Sequence, residues 1–253
     1  MKRPVRVIGI ALAALALLVS IAIWNFAFST PSINPLPLPA GLIALSSSSG
    51  QELLADSRFS ADYKPLTRNF EAQSRAAFCG VASAVVVLNA LRSSGPRLTQ
   101  ATFFGDTASA VRGPLEVSLA GMSLAQLADL LRTYGLEVSV FYAADTDVAA
   151  FRAIAQQNLE SSGDFLLVNY QRAALGQGET GHISPLAGYS PATDRLLILD
   201  VAAYKYPPVW VESEALWNAM NTVDNASGRT RGFVVVREPP STIATPLPGP
   251  ATE

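Results

Sequence analysis

The feature that most constrains the fold is a run of residues that is apolar on nearly every side. Residues 79–91 read Cys-Gly-Val-Ala-Ser-Ala-Val-Val-Val-Leu-Asn-Ala-Leu, so a helix formed by them has almost no polar face to turn toward water. Its four valines are mediocre helix formers, so tertiary packing has to hold the conformation. We therefore expect a helix buried inside a packed domain.

The first residue of this run, Cys79, is the only cysteine of the chain, and His182 is the only histidine. The first turn of a helix favours an anion, which can lower the pKa of a thiol below its usual value of about 8.5. The alternative is a buried structural cysteine, and position alone leaves both interpretations open. A lone cysteine excludes an intramolecular disulfide, and a structural zinc site is not expected. If Cys79 is a nucleophile, only His182 can be its imidazole base.

His182 opens one predicted strand, and Asp200 ends the next one along the chain. If Asp200 lies opposite Ser184, its carboxylate is diagonal to His182 on the same face of the sheet and can orient the imidazole. A register slipped by one residue puts the two side chains on opposite faces, and the sequence does not choose between them. A strand-end aspartate in solvent is the alternative.

Gln73 stands six residues before Cys79. A glutamine amide and the backbone N–H of the nucleophile can both donate to a developing oxyanion, although such a glutamine, taken alone, is a surface residue. Gln, then Cys-Gly at a helix start, then His and Asp on neighbouring strands, is the Cys–His–acid arrangement of papain-like enzymes. The sequence therefore predicts a cysteine-nucleophile acyl-transfer enzyme.

The segments on either side of the domain have a different composition. Residues 1–29 combine three basic residues with an apolar run, which is typical of a signal peptide or a membrane anchor, and either would export the domain to the periplasm. Residues 30–44 form a Pro/Ser-rich connector, expected to be a spacer, and residues 238–253 a proline-rich tail, expected to be disordered. The folded domain is then 45–237. With 15% charged residues and a net charge of -2, the chain is not expected to bind nucleic acid.

The periodicity within the domain predicts helices in the first half and strands in the second, an α+β class with an antiparallel sheet. A capping box at Ser123–Gln126 starts one helix, Gly135 closes it, and a second helix covers residues 145–158. The β-branched and aromatic content predicts strands over residues 136–142, 165–170, 183–189, 195–201 and 232–236.

Taken together, these residues resemble the phytochelatin synthase family in its short bacterial form. The resemblance covers roughly residues 36–237, and its most specific element is Tyr-Lys-Tyr-Pro-Pro-Val-Trp at residues 204–210. The other resembling segments are residues 36–39, 63–66, 73–83, 87–91, 165–170, 181–187, 199–202 and 229–233.

This resemblance implies a papain-like fold in which Cys79, His182 and Asp200 form the triad and Gln73 contributes to the oxyanion hole. It also implies the substrate: the family cleaves the Cys–Gly amide of glutathione, releases glycine and holds γ-glutamylcysteine as a thioester. Transfer to a second glutathione makes phytochelatin, and transfer to water hydrolyses the thioester.

Three further residues match positions near the family's γ-glutamyl pocket: Arg231, Asn169 and Arg229. A guanidinium suits the carboxylate of the ligand because its planar donors bind in pairs, whereas the alternative for Arg231 is a surface charge. No tightly bound cofactor is expected; a cadmium or zinc ion would enter as a glutathione thiolate complex, as substrate. The plant members carry a cysteine-rich C-terminal half that this chain lacks, so metal-regulated synthesis of long polymers is not expected and hydrolysis should dominate.

Two other functions stay open. One is an exported papain-like peptidase that acts on other peptides, because the Gln–Cys-Gly spacing also occurs in double-glycine leader peptidases. The other is a membrane-tethered, non-enzymatic binding module that has kept the fold. The oligomeric state, a homodimer included, is equally open.

Overall fold

The computed structural model describes residues 2–92 and 95–240. In these ranges the helices are α1 (Lys2–Phe28), α2 (Ser48–Asp56), α3 (Tyr63–Arg68), α4 (Cys79–Leu91), α5 (Asp106–Val111), α6 (Pro114–Ala120), α7 (Leu124–Arg132), α8 (Val148–Glu160) and α9 (Ser213–Met220). The strands are β1 (Ile43–Ala44), β2 (Glu137–Tyr142), β3 (Asp164–Gln171), β4 (Gly181–Ser190), β5 (Arg195–Ile198), β6 (Val209–Glu212), β7 (Val223–Asp224), β8 (Arg229–Thr230) and β9 (Gly232–Arg237). Two 3₁₀ turns cover Ala143–Asp145 and Arg172–Leu175.

Within the described residues, seven strands form one sheet in the order β1-β6-β5-β4-β3-β9-β2, and β7 pairs with β8 separately. All the pairings are antiparallel. Each face of the large sheet has its own hydrophobic core: α4 and α7 pack on one face, and α8 and α9 on the other. Strand β3 shows why, because Phe165 and Leu167 point into the first core and Leu166 and Val168 into the second. The mixture of helices and antiparallel strands confirms the α+β class.

Helix α4 spans the predicted residues and is buried, with Gly80–Leu88 inaccessible to solvent. The hydroxyl of Ser83 donates to the backbone oxygen of Ile183 at 3.0 Å and so ties the helix to strand β4 beside His182. Gly80 makes a close approach to Met122, since a Cβ at this position would lie 2.5 Å from the sulfur of that side chain. The small residue after the cysteine therefore lets the loop before α7 pack against the start of α4.

A β-bulge between β4 and β5 sets the position of Asp200. Near the hairpin turn, Gly188 lies opposite Leu197, but past the bulge Leu186 lies opposite Ile198, so the register shifts by one residue. Continued beyond the strand end, this second register brings Asp200 opposite Ser184, the arrangement that places it on the face of His182. The register of the hairpin turn alone would have put the two side chains on opposite faces.

Other predicted boundaries hold with small changes. The capping box of α7 is present, with Ser123 and Gln126 each bonded to the other's backbone N–H, and Gly135 has a positive φ of 80° after the helix ends. Helix α8 begins at Val148 rather than at residue 145, because Asp147 caps it. The strand predicted over 195–201 ends at Ile198. Strand β6 and helices α2, α3, α5, α6 and α9 were not predicted.

The connector prediction is wrong for residues 34–44, which pack on the domain and do not act as a spacer. The N–H groups of Asn34 and Leu36 donate to the backbone oxygens of Tyr204 and Lys205, each at 2.9 Å. Strand β1 then joins the large sheet through β6. These residues satisfy backbone groups that the 204–205 loop would otherwise leave open to water, so the folded domain begins before residue 45.

The N-terminal segment forms helix α1, whose last residue, Phe28, lies under the guanidinium of Arg75 at 5.1 Å. Among the described residues, no helix is long and apolar enough to cross a membrane. Both interpretations of residues 1–29, a signal peptide and a membrane anchor, stay predictions. Of the predicted tail, residues 241–253 lie outside the described residues.

Candidate active site

Cys79 is the first residue of α4 and lines a cavity of about 390 Å³. Burial disfavours its thiolate and alone would raise the pKa of Cys79. The side-chain hydrogen bond to His182 and the charge of that ring outweigh burial, with help from a backbone hydrogen bond of Ile183 and from the charge of Arg172. The pKa of Cys79 therefore lies below its usual value, as a nucleophilic thiol requires.

His182 is buried near the start of β4, with its Nε2 2.9 Å from the carboxylate oxygen Oδ1 of Asp200 and 2.9 Å from the hydroxyl of Ser184. Because Nε2 faces Asp200, Nδ1 is the nitrogen left for Cys79. Burial and the charge of Arg172 lower the pKa of His182, but Asp200 and the hydrogen bond to Cys79 raise it above its usual value. A raised imidazole pKa and a lowered thiol pKa together favour the thiolate–imidazolium pair.

Asp200 is fully buried, and its Oδ1 accepts three hydrogen bonds. The donors are Nε2 of His182 at 2.9 Å, Nη2 of Arg172 at 2.7 Å and the backbone N–H of Ala202 at 2.8 Å. Burial opposes ionisation, yet the charges of His182 and Arg172 and their hydrogen bonds lower the pKa of Asp200 to about 2. The acid is thus ionised at neutral pH and can hold the imidazole in one orientation.

Arg172 is a member of this cluster that sequence reasoning missed. It lies in the 3₁₀ turn after β3, only 2% exposed, and its Nη1 donates to the side-chain oxygen of Gln177. The guanidinium also lies 5.9 Å from the ring centroid of Tyr170 and 5.1 Å from that of Tyr206. Nothing in the local sequence distinguishes this arginine from a surface one, because its partner Asp200 is 28 residues away.

Gln73 is buried and lines the same cavity, as its predicted role requires. Its backbone N–H donates to Val201, directly after Asp200, at 2.8 Å. Its amide nitrogen, however, donates to the backbone oxygens of Arg75 and Ala76 at 2.9 and 2.8 Å, which occupies both amide hydrogens. An oxyanion role for Gln73 therefore requires that one of these hydrogen bonds be exchanged, and that role stays a prediction.

Arg231 and Asn169 line the cavity on the side of β3 and β9, and both are buried. Nη1 of Arg231 is held by the backbone oxygen of Val223 at 2.7 Å, whereas its Nε is buried without a partner among the described residues. Burial lowers the pKa of Arg231, opposed by the carboxylate of Asp224, whose Oδ1 lies 3.8 Å from Nη2. Arg231 thus brings a positively charged group to the wall of the cavity.

The expectation for Arg229 is not supported, because it does not line the cavity. Its guanidinium stacks on Tyr142 at 3.5 Å and pairs with Asp145 at 2.7 Å, in a largely exposed ion pair. Among the described residues, no group of three His, Cys, Asp or Glu side chains could hold a metal ion.

The geometry can perform acyl transfer. A lowered thiol pKa supplies a nucleophile, the adjacent imidazolium can protonate a leaving amine, and a buried carboxylate orients that imidazolium. The cavity beside these groups carries a cation on the β9 side, which suits a substrate with a carboxylate.

Comparison with known proteins agrees with this chemistry. The sequence model of the family described as phytochelatin synthase matches residues 33–233. Among curated proteins, glutathione γ-glutamylcysteinyltransferase 1 of Lotus japonicus is 35% identical over 81% of this chain and 42% of its own length. The enzyme of the same name from Triticum aestivum is 37% identical over 79% of this chain and 41% of its own length, and glutathione γ-glutamylcysteinyltransferase of Schizosaccharomyces pombe is 29% identical over 79% and 50%. The chain therefore spans half or less of the length of these relatives.

Proposed function

The chain belongs to the phytochelatin synthase family, and we propose that it is a glutathione γ-glutamylcysteine dipeptidyl transferase or hydrolase that acts through a thioester on Cys79. The observation that carries the proposal is the buried chain of contacts from Cys79 through His182 to Asp200, which opens into a cavity. We further propose that this arrangement is papain-like, with the nucleophile at the start of a buried helix and the base on the facing sheet.

The β9 side of the cavity suits the γ-glutamyl end of glutathione, which carries an α-carboxylate and an α-ammonium group. Arg231 offers a guanidinium for the carboxylate, and the nearby Asp224 offers a carboxylate for the ammonium group. Asn169 adds an amide that can bind either group.

Acylation begins when the thiolate of Cys79 attacks the cysteinyl carbonyl carbon of glutathione. The C–S bond forms, the carbonyl oxygen becomes an oxyanion, and the backbone N–H of Cys79, with Gln73 once its amide has moved, donates to it. The imidazolium of His182 then gives its proton to the glycine nitrogen, the C–N bond breaks, and glycine leaves. Asp200 keeps the ring aligned throughout.

Deacylation reverses these roles. Neutral His182 takes a proton from the attacking nucleophile, which adds to the thioester carbonyl and displaces the Cys79 thiolate. Water gives γ-glutamylcysteine, whereas the α-amine of a second glutathione gives phytochelatin. A cadmium or zinc ion would take part as a glutathione thiolate complex, as substrate, and we propose export of the chain as the setting for this reaction.

The test is a product assay on the full chain with glutathione, with and without cadmium. We expect equal amounts of glycine and γ-glutamylcysteinyl product, and a mass increase of one γ-glutamylcysteinyl group on Cys79 before deacylation. Cys79→Ala should abolish both signals, while His182→Gln should lower the rate by several orders of magnitude. No glycine release by the wild type, or full activity of Cys79→Ser, would overturn the proposal.

Two further assays separate the other two functions. Cleavage of unrelated peptides without glutathione turnover would favour a general peptidase. Alkylation of Cys79 by iodoacetamide with the pH dependence of an ordinary thiol, near pH 8.5, would favour a binding module.

A further inference from the structure

Ser184 is a buried polar residue beside His182 to which the proposed mechanism gives no task. Its side chain is inaccessible to solvent, and its hydroxyl oxygen Oγ lies 2.9 Å from Nε2 of His182. Oδ1 of Asp200 lies 2.9 Å from the same nitrogen. Nε2 therefore has two oxygen neighbours, although an imidazole nitrogen carries no more than one hydrogen.

The ionisation of Asp200 decides in which direction these hydrogen bonds run. The charges and hydrogen bonds of His182 and Arg172 lower the pKa of Asp200 to about 2, so the carboxylate has no hydrogen to give. Nε2 must then be the donor toward Asp200, and a nitrogen that carries this hydrogen has no lone pair for the Ser184 hydroxyl. Oγ of Ser184 therefore accepts from Nε2–H and shares this hydrogen with Asp200 in a three-centre hydrogen bond.

The backbone holds the Ser184 hydroxyl in place for this contact. Oγ also accepts from the backbone N–H of Val201 at 3.3 Å, and Val201 directly follows Asp200. These two hydrogen bonds use both lone pairs of Oγ. Because Ser184 follows His182 by two residues on β4, the two side chains lie on the same face of the sheet. Oγ is thus fixed between the imidazole ring and the chain segment that carries the orienting acid.

We propose that Ser184 is a positioning residue, which together with Asp200 keeps a hydrogen on Nε2 of His182 and directs Nδ1 toward Cys79. The part that this contact plays in acyl transfer rests on the proposed function. In acylation, Oγ helps to hold the imidazolium while Nδ1 gives its proton to the glycine nitrogen. In deacylation, the neutral ring keeps its hydrogen on Nε2, so the lone pair of Nδ1 can take the proton of the attacking nucleophile.

This contact also has a consequence for the charge of the ring. The hydrogen bond from Nε2–H is stronger when the ring is charged, so Oγ stabilises the imidazolium more than the neutral imidazole. Loss of the hydroxyl should therefore lower the pKa of His182, and the weaker imidazolium should in turn raise the pKa of Cys79. The other titratable side chains around the ring are unchanged when Ser184 is replaced: Cys79 on α4, Tyr170 on β3, Arg172 after β3 and Asp200 after β5.

The experiment uses the fact that His182 is the only histidine of the chain, so its NMR signals need no assignment. The full chain, without a histidine tag and labelled with ¹⁵N in histidine, is titrated with pH as wild type, Ser184→Ala, Ser184→Thr and Ser83→Ala. Ser83 is the matched control, because it is equally buried and its hydroxyl donates to the backbone oxygen of Ile183 at 3.0 Å and not to the ring. The nitrogen chemical shifts report which ring nitrogen carries the hydrogen and at which pH the ring becomes charged. The pH profile of kcat/KM with glutathione is measured for the same four proteins.

We expect Nε2 to carry the hydrogen in the neutral ring of the wild type. In Ser184→Ala, deprotonation of the imidazolium should move to lower pH by about 0.5–1 pH unit, and kcat/KM should fall about 10-fold. The bell-shaped profile should also become narrower, because its acid limb moves to higher pH and its basic limb to lower pH. Ser184→Thr, which keeps a hydroxyl, should restore part of both effects, and Ser83→Ala should leave both limbs where they are.

The proposal is overturned if Nε2 is unprotonated in the neutral ring of the wild type, or if Ser184→Ala titrates like the wild type. Equal shifts in Ser184→Ala and Ser83→Ala would also overturn it, since they would show that a disturbed strand β4, and not the contact with the ring, is the cause. A wild type that releases no glycine although its ring behaves as expected refutes the proposed function and supports the placement of the ring by Ser184.

Discussion

Removal of the buried charge of Arg172 tests whether this residue stabilises Asp200 and sets the pKa values of Cys79 and His182. The variant Arg172→Met keeps much of the apolar stem but takes away the donor that lies 2.7 Å from Asp200. Asp200 is then a fully buried carboxylate with only His182 and one backbone N–H as partners. Breaking a buried ion pair in this way costs about 3–5 kcal/mol of unfolding free energy.

The matched control is Arg152→Met. Arg152 also pairs with an aspartate, at 2.6 Å, but both side chains are partly exposed, 30% and 40%. Exposed ion pairs contribute about 0–1 kcal/mol to stability. The unfolding free energies of the two variants, measured by urea unfolding, should therefore differ by about 2 kcal/mol or more. Arg172→Lys should fall between them, because one ammonium group cannot serve Asp200 and Gln177 with the geometry of a guanidinium.

The pH profile of kcat/KM shows whether the role is more than structural. The charge of Arg172 lowers the pKa of both Cys79 and His182, so its removal should raise both. Since the acid limb follows formation of the thiolate and the basic limb follows loss of the imidazolium proton, both limbs should move to higher pH. A lower but unshifted profile, or a loss of stability equal to that of Arg152→Met, would refute the reasoning.

Three further predictions concern parts of the molecule around the site. Burial raises the pKa of Asp62 to about 8. The protonated carboxyl group therefore contributes to stability below about pH 4, and this contribution is lost as the pH rises through 8. Asp62→Asn should raise the unfolding free energy by about 1–3 kcal/mol at pH 8 and change it little at pH 4. Urea unfolding at the two pH values measures this, and an equal effect at both would contradict it. A Cβ on Gly181 would lie 3.1 Å from Nη2 of Arg231, so Gly181→Ala should displace the guanidinium. In steady-state kinetics, KM for glutathione should rise roughly 10-fold, with a smaller change in kcat. A change in kcat alone would contradict this prediction. Leu36→Pro removes the N–H that donates to the backbone oxygen of Lys205. Thermal unfolding should show a loss of about 1 kcal/mol of stability, and kinetics should show a lower kcat/KM. If both values are unchanged, the connector does not support the 204–205 loop.

Much of the fold follows from local sequence. An apolar run has to be buried wherever it lies, so helix α4 could be predicted over its full length. The capping box at Ser123 acts within one turn, and the alternation of β3 supplies both hydrophobic cores. Strand β6, which pairs with β5 and β1, was missed.

In the candidate site, too, some contacts could be predicted from the sequence and others could not. With one cysteine and one histidine in the chain, His182 was the only imidazole that could serve Cys79 if this cysteine is a nucleophile. The place of Arg172 could not be predicted, because a buried guanidinium is stable only beside a carboxylate that another strand supplies. The connector was taken for a spacer for a related reason: its prolines favour an extended chain, and only the 204–205 loop gives that chain partners.

The sequence by itself determined which residues could do the chemistry and which helix would carry the nucleophile. Whether Asp200 reaches His182 was decided by the tertiary structure, through one extra residue in the bulge between Leu186 and Gly188. Side chains alternate faces along a strand, so a shift of one residue reverses every orientation beyond it, and no local preference reports that shift. The cluster of Asp200, His182 and Arg172 exists because the packed sheet holds that register.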